Sequence, residues 1–467
     1  MKKRTPYLIE GISIADFAAE GVSVARYDGK VIFVKSVVPG DVADIEVYRE
    51  KKNYAEASLV RLIHPSAKRT QPFCLHFGQC GGCKWQHVLY NEQLLFKQKQ
   101  VTEQLVHVGK LDILTPRPIM SSAKTTHYRN KLEFSFSHKK WLTQEEMLQG
   151  VIPQPALGFH VPGRFDKILD IQSCYLQDEL SNQMRNFIRT YAITHQLSFY
   201  DIRQQEGLLR NVIFRNNRRG EWMIVLILGV DIPDMAIDMM KSLADAFPQI
   251  VSLHYVLNTK KNDSIHDLPV HLYKGMPFLT EMIDNLTFQI RPKSFFQTNT
   301  LQAELLYQAV SNLADIRNDE TVYDLYTGTG TIACYVARRA KHVVGVEYVQ
   351  DAIDDACENA KLNGIANISF YAGDMKDVFT PTLFEKHGKP DVVITDPPRA
   401  GMHAGVIHIL NQSGASRIVY VSCNPATQAR DLSFLTQYYH IEAVQPVDMF
   451  PHSHHVENIV LLTKKLK

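Results

Sequence analysis

The chain has 467 residues, of which 45% are hydrophobic and 21% charged, the balance of a globular protein and not of a disordered or fibrous one. At roughly 100–200 residues per domain, about two to four domains are expected. No apolar stretch is long enough to span a bilayer, and the basic start Met1-Lys2-Lys3-Arg4 is followed by Glu10, Asp16 and Glu20, which interrupt any signal-peptide core. A cytoplasmic protein with no membrane partner is the expectation. Seven cysteines in a reducing compartment point to metal binding or catalysis, not to disulfides. The net charge of +2 hides an asymmetry. Ser66 to Trp141 holds twelve Lys/Arg against four Asp/Glu, whereas Phe288 to the end holds sixteen against nineteen. A basic segment beside a near-neutral one suits a polyanionic substrate.

Residues 1–64 read as a small all-β unit. Val31, Phe33 and Lys35 alternate with Ile32 and Val34, Pro39-Gly40-Asp41 makes a turn, and Val42–Tyr48 and Ala57–Ile63 follow as strands. Short strands with turn chemistry suggest a barrel. His64-Pro65-Ser66 marks a boundary. Residues 65–285 form a central part. It is rich in Cys, Gly and aromatics over 71–90, helical over 91–109, and then dominated by strands such as Leu132–Ser137, Val212–Phe214 and Met223–Gly229.

From Thr321 strands and helices alternate, so residues 286–467 read as a doubly wound α/β domain with its ligands at the carboxyl ends of the strands. The expected strands are Val322–Tyr326, His342–Glu347, Ile368–Tyr371, Val392–Thr395, Ile418–Ser422 and Ile459–Leu462. The expected helices are Thr331–Arg339 and Gln350–Leu362. Cys334 and Cys357 fall on these helices and read as core residues.

Asp324-Leu-Tyr326-Thr327-Gly328-Thr-Gly330-Thr331 follows a strand and opens a helix, and Glu347 closes the next strand. The glycines let backbone and ligand approach closely, and the carboxylate can accept both hydroxyls of a ribose. A nucleoside cofactor follows. Ala333 could replace the third glycine of a dinucleotide fingerprint, so this motif alone also permits a dehydrogenase. S-Adenosylmethionine has no phosphate to contact. Asp374, after the third strand, could bind an adenine amino group.

Asp396-Pro397-Pro398-Arg399 fixes a rigid loop where substrate should lie. Enzymes that methylate exocyclic amines place an aromatic where Arg399 stands, which leaves a carbon target open. Cys423 ends a strand before Asn424-Pro425, at that same edge. A thiolate suits one chemistry especially well. Carbon 5 of uracil is a poor nucleophile until a thiolate adds to carbon 6. A base must later remove the carbon 5 proton, and Glu457 is the candidate.

Together these motifs resemble the bacterial RNA 5-methyluridine methyltransferases, and within them the 23S rRNA (uracil-5-)-methyltransferases. The resemblance covers nearly the whole chain. It rests on Phe73-Cys74-x5-Cys80-Gly-Gly-Cys83, Ser294-Phe-Phe-Gln297-x-Asn299, Asp324-Leu-Tyr-x-Gly328-x-Gly330, Asp396-Pro-Pro-Arg399-x-Gly401, Ser422-Cys423-Asn-Pro425 and His455-Val-Glu457. It implies Cys423 as nucleophile, Glu457 as base, and Gln297, Tyr326, Thr331, Glu347, Asp374 and Asp396 around cofactor and uracil. Thr327 and Thr331 stand where the family often has Cys and Asn. The resemblance also implies an RNA-binding TRAM barrel over 1–64, and a helix near 91–115 packed on the catalytic domain. A tRNA uracil-5 methyltransferase shares the catalytic motifs and is the alternative. No obligate protein partner is expected, so the chain reads as a monomer.

Cys74, Cys80, Cys83 and Cys174 form a separate group, and four thiolates can hold zinc or an iron–sulfur cluster. Spacing leaves both open; the resemblance implies [4Fe–4S].

Overall fold

The structure is a computed structural model that describes residues 6–113 and 115–466; the basic start Met1–Arg4, and Leu114 within the expected 91–115 helix, lie outside them. Five strands, Tyr7–Phe17, Ser23–Tyr27, Lys30–Lys35, Val42–Glu50 and Tyr54–His64, close into a barrel. Closure leaves no unpaired sheet edge. Ile9, Ile14, Ile32, Val34 and Ile45 fill its interior.

The barrel is tied to the rest of the chain through Trp85. This side chain is buried, donates from Nε1 to the Gly21 carbonyl at 3.1 Å, and contacts Phe17 and Phe96. Burying a ring of this size contributes roughly 1.5–3 kcal/mol, so barrel, cysteine-rich loop and the following helix share one apolar joint. That helix, Tyr90–Glu103, continues into a wider turn over Gln104–Val108, close to the expected limits. Val101 and Leu105 pack among Ala429, Leu432 and Leu435 of the helix Pro425–Leu435.

The central part is a seven-stranded sheet in the order His271–Gly275, Ile250–Leu257, Trp222–Leu228, Leu209–Asn216, Lys131–Ser137, Ala156–His160, Ile168–Asp170. Two helices that the strand-rich reading overlooked, Glu179–Thr194 and Asp234–Ala246, cover one face. They pack Met184, Ile188, Met239 and Leu243 against Phe134, Phe214 and Ile224. The hairpin Leu279–Ile283 with Leu286–Ile290 lies across the expected boundary at 285/286.

The C-terminal sheet runs Ile368–Ala372, His342–Glu347, Thr321–Leu325, Val392–Thr395, Arg417–Ser422, Glu457–Lys464, Tyr439–Val447. The first five are parallel, and Glu457–Lys464 is antiparallel to both neighbours. Strand order reverses between Thr321–Leu325 and Val392–Thr395, which is where such a fold opens its ligand crevice. No helix among the described residues is long and apolar enough to cross a membrane.

Candidate active site

One cavity of about 1440 Å³ opens at these carboxyl ends, lined by Gln297, Tyr326, Thr331, Glu347, Asp396, Cys423 and Glu457. That exceeds the roughly 300–1,000 Å³ of a pocket for one small ligand. Seven of the eight expected site residues, the nucleophile and base included, therefore meet. Asp374 does not line the cavity. Its carboxylate caps the short helix Met375–Val378, pairs with Lys376 at 3.3 Å and is exposed. Cys357, expected in the core, is exposed and lines the cavity instead, because its position on Gln350–Leu362 falls on the face turned to the crevice.

The first loop of the site is built on unusual backbone. Tyr326, Gly328 and Gly330 all have positive φ (63°, 55° and 76°). For Tyr326 this is costly. At Gly330 a Cβ would stand 2.9 Å from that of Ala356, so only glycine fits. Glu347 braces the loop by accepting from Gly328 N at 3.1 Å, and its other oxygen accepts from Tyr348 N and Val349 N. Thr331 opens the helix Thr331–Ala337, and its hydroxyl is 3.1 Å from that of Tyr307.

Gln297 is held from both sides of the crevice. Asn130 of the central part donates to its carbonyl at 2.9 Å, and Arg215 donates to the Ser294 carbonyl. Asp355 accepts from Ser294 Oγ and, at 2.7 Å, from Arg291 Nε. No sequence pattern announced Asn130, Arg215 or Asp355, because each partner lies tens of residues away.

Register explains how Cys423 meets Glu457. Ser422 pairs with Asn458 across antiparallel strands, so the next residues outward, Cys423 and Glu457, face each other at the sheet's end. Asn424 caps the helix Pro425–Leu435 and donates to the Arg399 carbonyl at 3.1 Å; Thr427 Oγ donates to the same oxygen. The cysteine loop and the Asp-Pro-Pro-Arg loop are thus one unit.

The electrostatics are those of a crowded acidic crevice. Burial pushes Asp324 up to about 7, with Asp396 adding to the rise. Burial also raises Asp396 and Glu457, and the charge of Asp396 raises Glu457 further, while Arg399 pulls it down. Cys423 is pushed up to about 11 by burial, then by Glu457 and Asp396, and Arg399 again opposes. Arg399 donates to His455 Nδ1 at 2.8 Å. Burial and then Arg399 itself hold that ring down to about 4, so it is a neutral acceptor at pH 7. A cationic methyl donor suits such a crevice, because opposite charge favours the ionised carboxylates.

Among the described residues no group of three or more His, Cys, Asp or Glu side chains is arranged around a single metal ion. The four grouped cysteines nevertheless share a neighbourhood. Burial lifts Cys80 and Cys83 to about 12, and Cys174, Cys80 and Cys74 each raise Cys83 further.

A doubly wound sheet whose last strand in the chain, Glu457–Lys464, runs antiparallel, a glycine-bent first loop and a carboxylate at the end of the second strand define a nucleoside-cofactor transferase. Residues 277–465 match the family model described as tRNA (Uracil-5-)-methyltransferase, and residues 8–60 match the TRAM domain. A protein named as an RNA methyltransferase from Bacteroides thetaiotaomicron is 52% identical over 451 residues, which is 95% of this chain and 99% of that one. One from Porphyromonas gingivalis is 49% identical over 462 residues, 97% and 99% of the two chains. The crystal structure of Pyrococcus abyssi tRNA (uracil-54, C5)-methyltransferase in complex with S-adenosyl-L-homocysteine superposes with a TM-score of 0.75 at 28% identity, covering 97% of this chain and 100% of that one. The chain belongs to the S-adenosylmethionine-dependent RNA (uracil-5-)-methyltransferase family.

Proposed function

We propose that the protein methylates carbon 5 of a specific uridine in 23S rRNA, with Cys423 as nucleophile and Glu457 as base. The observation that carries this reading is the meeting of Cys423, Glu457, Asp396 and Gln297 in one cavity with Tyr326, Thr331 and Glu347. The Cys423 thiolate forms a bond to carbon 6, and the electron pair of the carbon 5–carbon 6 double bond moves to carbon 5 and the carbonyl. Carbon 5 then takes the methyl group, the sulfonium carbon–sulfur bond breaks, and S-adenosylhomocysteine leaves neutral at sulfur. The Glu457 carboxylate accepts the carbon 5 proton, the double bond re-forms, and the carbon–sulfur bond to Cys423 breaks with its electrons returning to sulfur. Gln297 and Asp396 hold the uracil edge, Glu347 holds the ribose of the cofactor, and Tyr326 and Thr331 frame its amino-acid end. Asp374, outside the cavity, reaches the adenine only if its cap on Lys376 opens. A stacked uridine cannot admit Cys423, so the target is single-stranded or flipped. In this reading the barrel over 1–64 and the central part over 65–285 grip the RNA that 286–467 modifies, and the protein acts as a cytoplasmic monomer.

Cys74, Cys80, Cys83 and Cys174 are proposed to hold a [4Fe–4S] cluster. An all-thiol donor set, the closeness that lets the four sulfurs influence one another's titration and the family resemblance support it. Bound there, it would neutralise the thiolates and join the 74–83 segment to Cys174; methyl transfer from a sulfonium needs no electron from it.

The second reading, a tRNA target with the same chemistry, is favoured by the tRNA enzyme whose structure superposes along the whole chain. Labelled S-adenosylmethionine with unmodified 23S rRNA and with unmodified tRNA, followed by nucleoside analysis, separates them. 5-Methyluridine in rRNA alone supports the first reading, in tRNA alone the second, and in neither sinks the uracil-5 chemistry.

A further inference from the structure

Glu457 begins its strand at the end of a segment, Asp448–Val456, that has no helix or strand of its own. Its fixing comes largely from outside the catalytic sheet. Asp448 and Lys97 are both fully buried and paired at 2.6 Å. Lys97 Nζ also donates to the Phe450 carbonyl at 3.0 Å, and Tyr90 OH donates to Asp448 at 2.8 Å. Gln93, likewise fully buried, accepts from His452 N at 2.8 Å through Oε1. Its Nε2 donates to the Trp85 and Val88 carbonyls and lies 3.2 Å from His452 Nδ1. Lys84 N and Trp85 N, directly after Cys83, donate to the His452 carbonyl at 2.9 and 3.0 Å. About two turns of the helix Tyr90–Glu103 thus grip the segment at Asp448, at Phe450 and at His452.

A buried ion pair contributes little net stability compared with an apolar pair of the same volume. What it supplies is a unique geometry, enforced by the penalty for leaving either partner unpaired. Nothing in the reaction requires a lysine 360 residues upstream in sequence order from the base; its place under the base's own tether gives it a use.

We propose that Gln93 and Lys97 are positioning residues for the base. They set where the Asp448–Val456 segment delivers the Glu457 carboxylate, and so govern proton removal from carbon 5 and release of the methylated RNA. This rests on the covalent reading above. Attack by Cys423 and methyl transfer depend on the loops at 396–399 and 423–427, which Gln93 and Lys97 do not touch; the segment they hold meets those loops through His455, which accepts from Arg399 at 2.8 Å, so proton removal should suffer more than attack.

The test uses the full chain, S-adenosylmethionine and the transcript that accepts methyl from the wild type, made with uridine or with 5-fluorouridine. Fluorine cannot leave as a cation, so 5-fluorouridine RNA stays bonded to Cys423 whether or not the base is in place. Two variants are compared, Gln93→Leu and the double replacement Lys97→Met with Asp448→Leu, which removes both charges together. The expected result has three parts. Adduct formation with 5-fluorouridine RNA slows far less than turnover does. Turnover on uridine RNA falls about 10- to 100-fold, the usual effect of a small misplacement of a reacting group. A denaturant-stable adduct with uridine RNA accumulates. Equal losses of adduct formation and turnover in both variants would reduce the network to a folding element and overturn the proposal, as would unchanged turnover in both. A wild type that forms no adduct with 5-fluorouridine RNA defeats the covalent reading, and this inference with it, before any variant is examined.

Discussion

Replacing Glu457 by Gln should separate activity from stability in opposite directions. The side chain is 4% exposed, and burial, then the charge of Asp396, holds its carboxyl above the ordinary 4.5, against a smaller pull from Arg399. In the folded state it keeps a proton that the unfolded chain has already released. Its contribution to stability is therefore complete below the unfolded value near 4.5 and is lost as pH rises toward the folded value, at about 1.4 kcal/mol per pH unit. Gln has the same shape and carries no such penalty. Once the pH has passed the folded value, about 8, the variant should be more stable than the wild type by several kcal/mol at that slope, and near pH 4 the difference should vanish. Catalysis goes the other way. A positioned general base is worth roughly 10²–10⁴ in rate, so turnover falls by that factor and RNA remains bonded to Cys423. Thermal melts across pH, methyl-transfer rates and denaturing gels of enzyme–RNA mixtures read the three quantities. A variant that lost stability and turnover together, with no trapped RNA, would refute both the burial argument and the assignment of the base.

The remaining predictions concern the groups around it. Arg399 is what opposes the upward push on Cys423, so Arg399→Met should slow adduct formation with 5-fluorouridine RNA about tenfold at pH 7.5, with the rate recovering toward pH 9.5; a deficit independent of pH would assign Arg399 to RNA binding alone. The carboxyls of Asp324, Asp396 and Glu457 are all raised and ionise across the neutral range. The affinity for cationic S-adenosylmethionine relative to neutral-sulfur S-adenosylhomocysteine should therefore climb roughly 3- to 10-fold between pH 6 and 8.5; calorimetric titrations that give a constant ratio would show that these carboxylates do not face the sulfonium. Protein purified without oxygen should contain iron and sulfide in equal amounts, and Cys80→Ser should lose most of both and melt several degrees lower. Zinc in place of iron would refute the cluster.

How much of the fold could be read from the chain depends on how local its causes are. The parallel strands His342–Glu347 and Val392–Thr395 and the helix Gln350–Leu362 lie where the apolar period and loop chemistry place them, because both faces of that sheet are covered and the strands are continuously apolar. The first barrel strand, Tyr7–Phe17, was hidden. Its buried residues Ile9, Ile12 and Ile14 change spacing where the pairing register shifts between Ile9 and Ile12, so the alternation that marks a strand is broken by a bulge. The helix Glu179–Thr194 was hidden for another reason. Its inward face carries Ser181, Asn182 and Arg185, and the last two make hydrogen bonds near Cys174, Asn182 to its backbone and Arg185 to the Gln172 carbonyl. A polar residue on a buried face cancels the 3.6-residue signal.

The site shows the same division. Cys423, Asp396 and Glu347 were legible because each sits at or just past the carboxyl end of a parallel strand, and a doubly wound sheet brings those ends together whatever the intervening sequence; Glu457, at the start of an antiparallel strand, and Gln297, outside that sheet, were legible through the family resemblance. Asp374 obeys that rule and still does not line the cavity; its carboxylate turns instead to cap Met375–Val378 and to pair with Lys376. What the chain did not disclose is how the two reacting side chains are kept in register. Cys423 is fixed locally, by Asn424 and Thr427 on the Arg399 carbonyl. Glu457 depends on Lys97, Gln93 and Tyr90, which pattern reading takes for three polar positions on an ordinary helix. The nucleophile is therefore held mainly within the catalytic domain, with one contact to the shared segment through Arg399 and His455, whereas the base is shared directly with the segment that carries the clustered cysteines. Any event that loosens the joint at Trp85 and His452 should act on proton removal before it acts on attack.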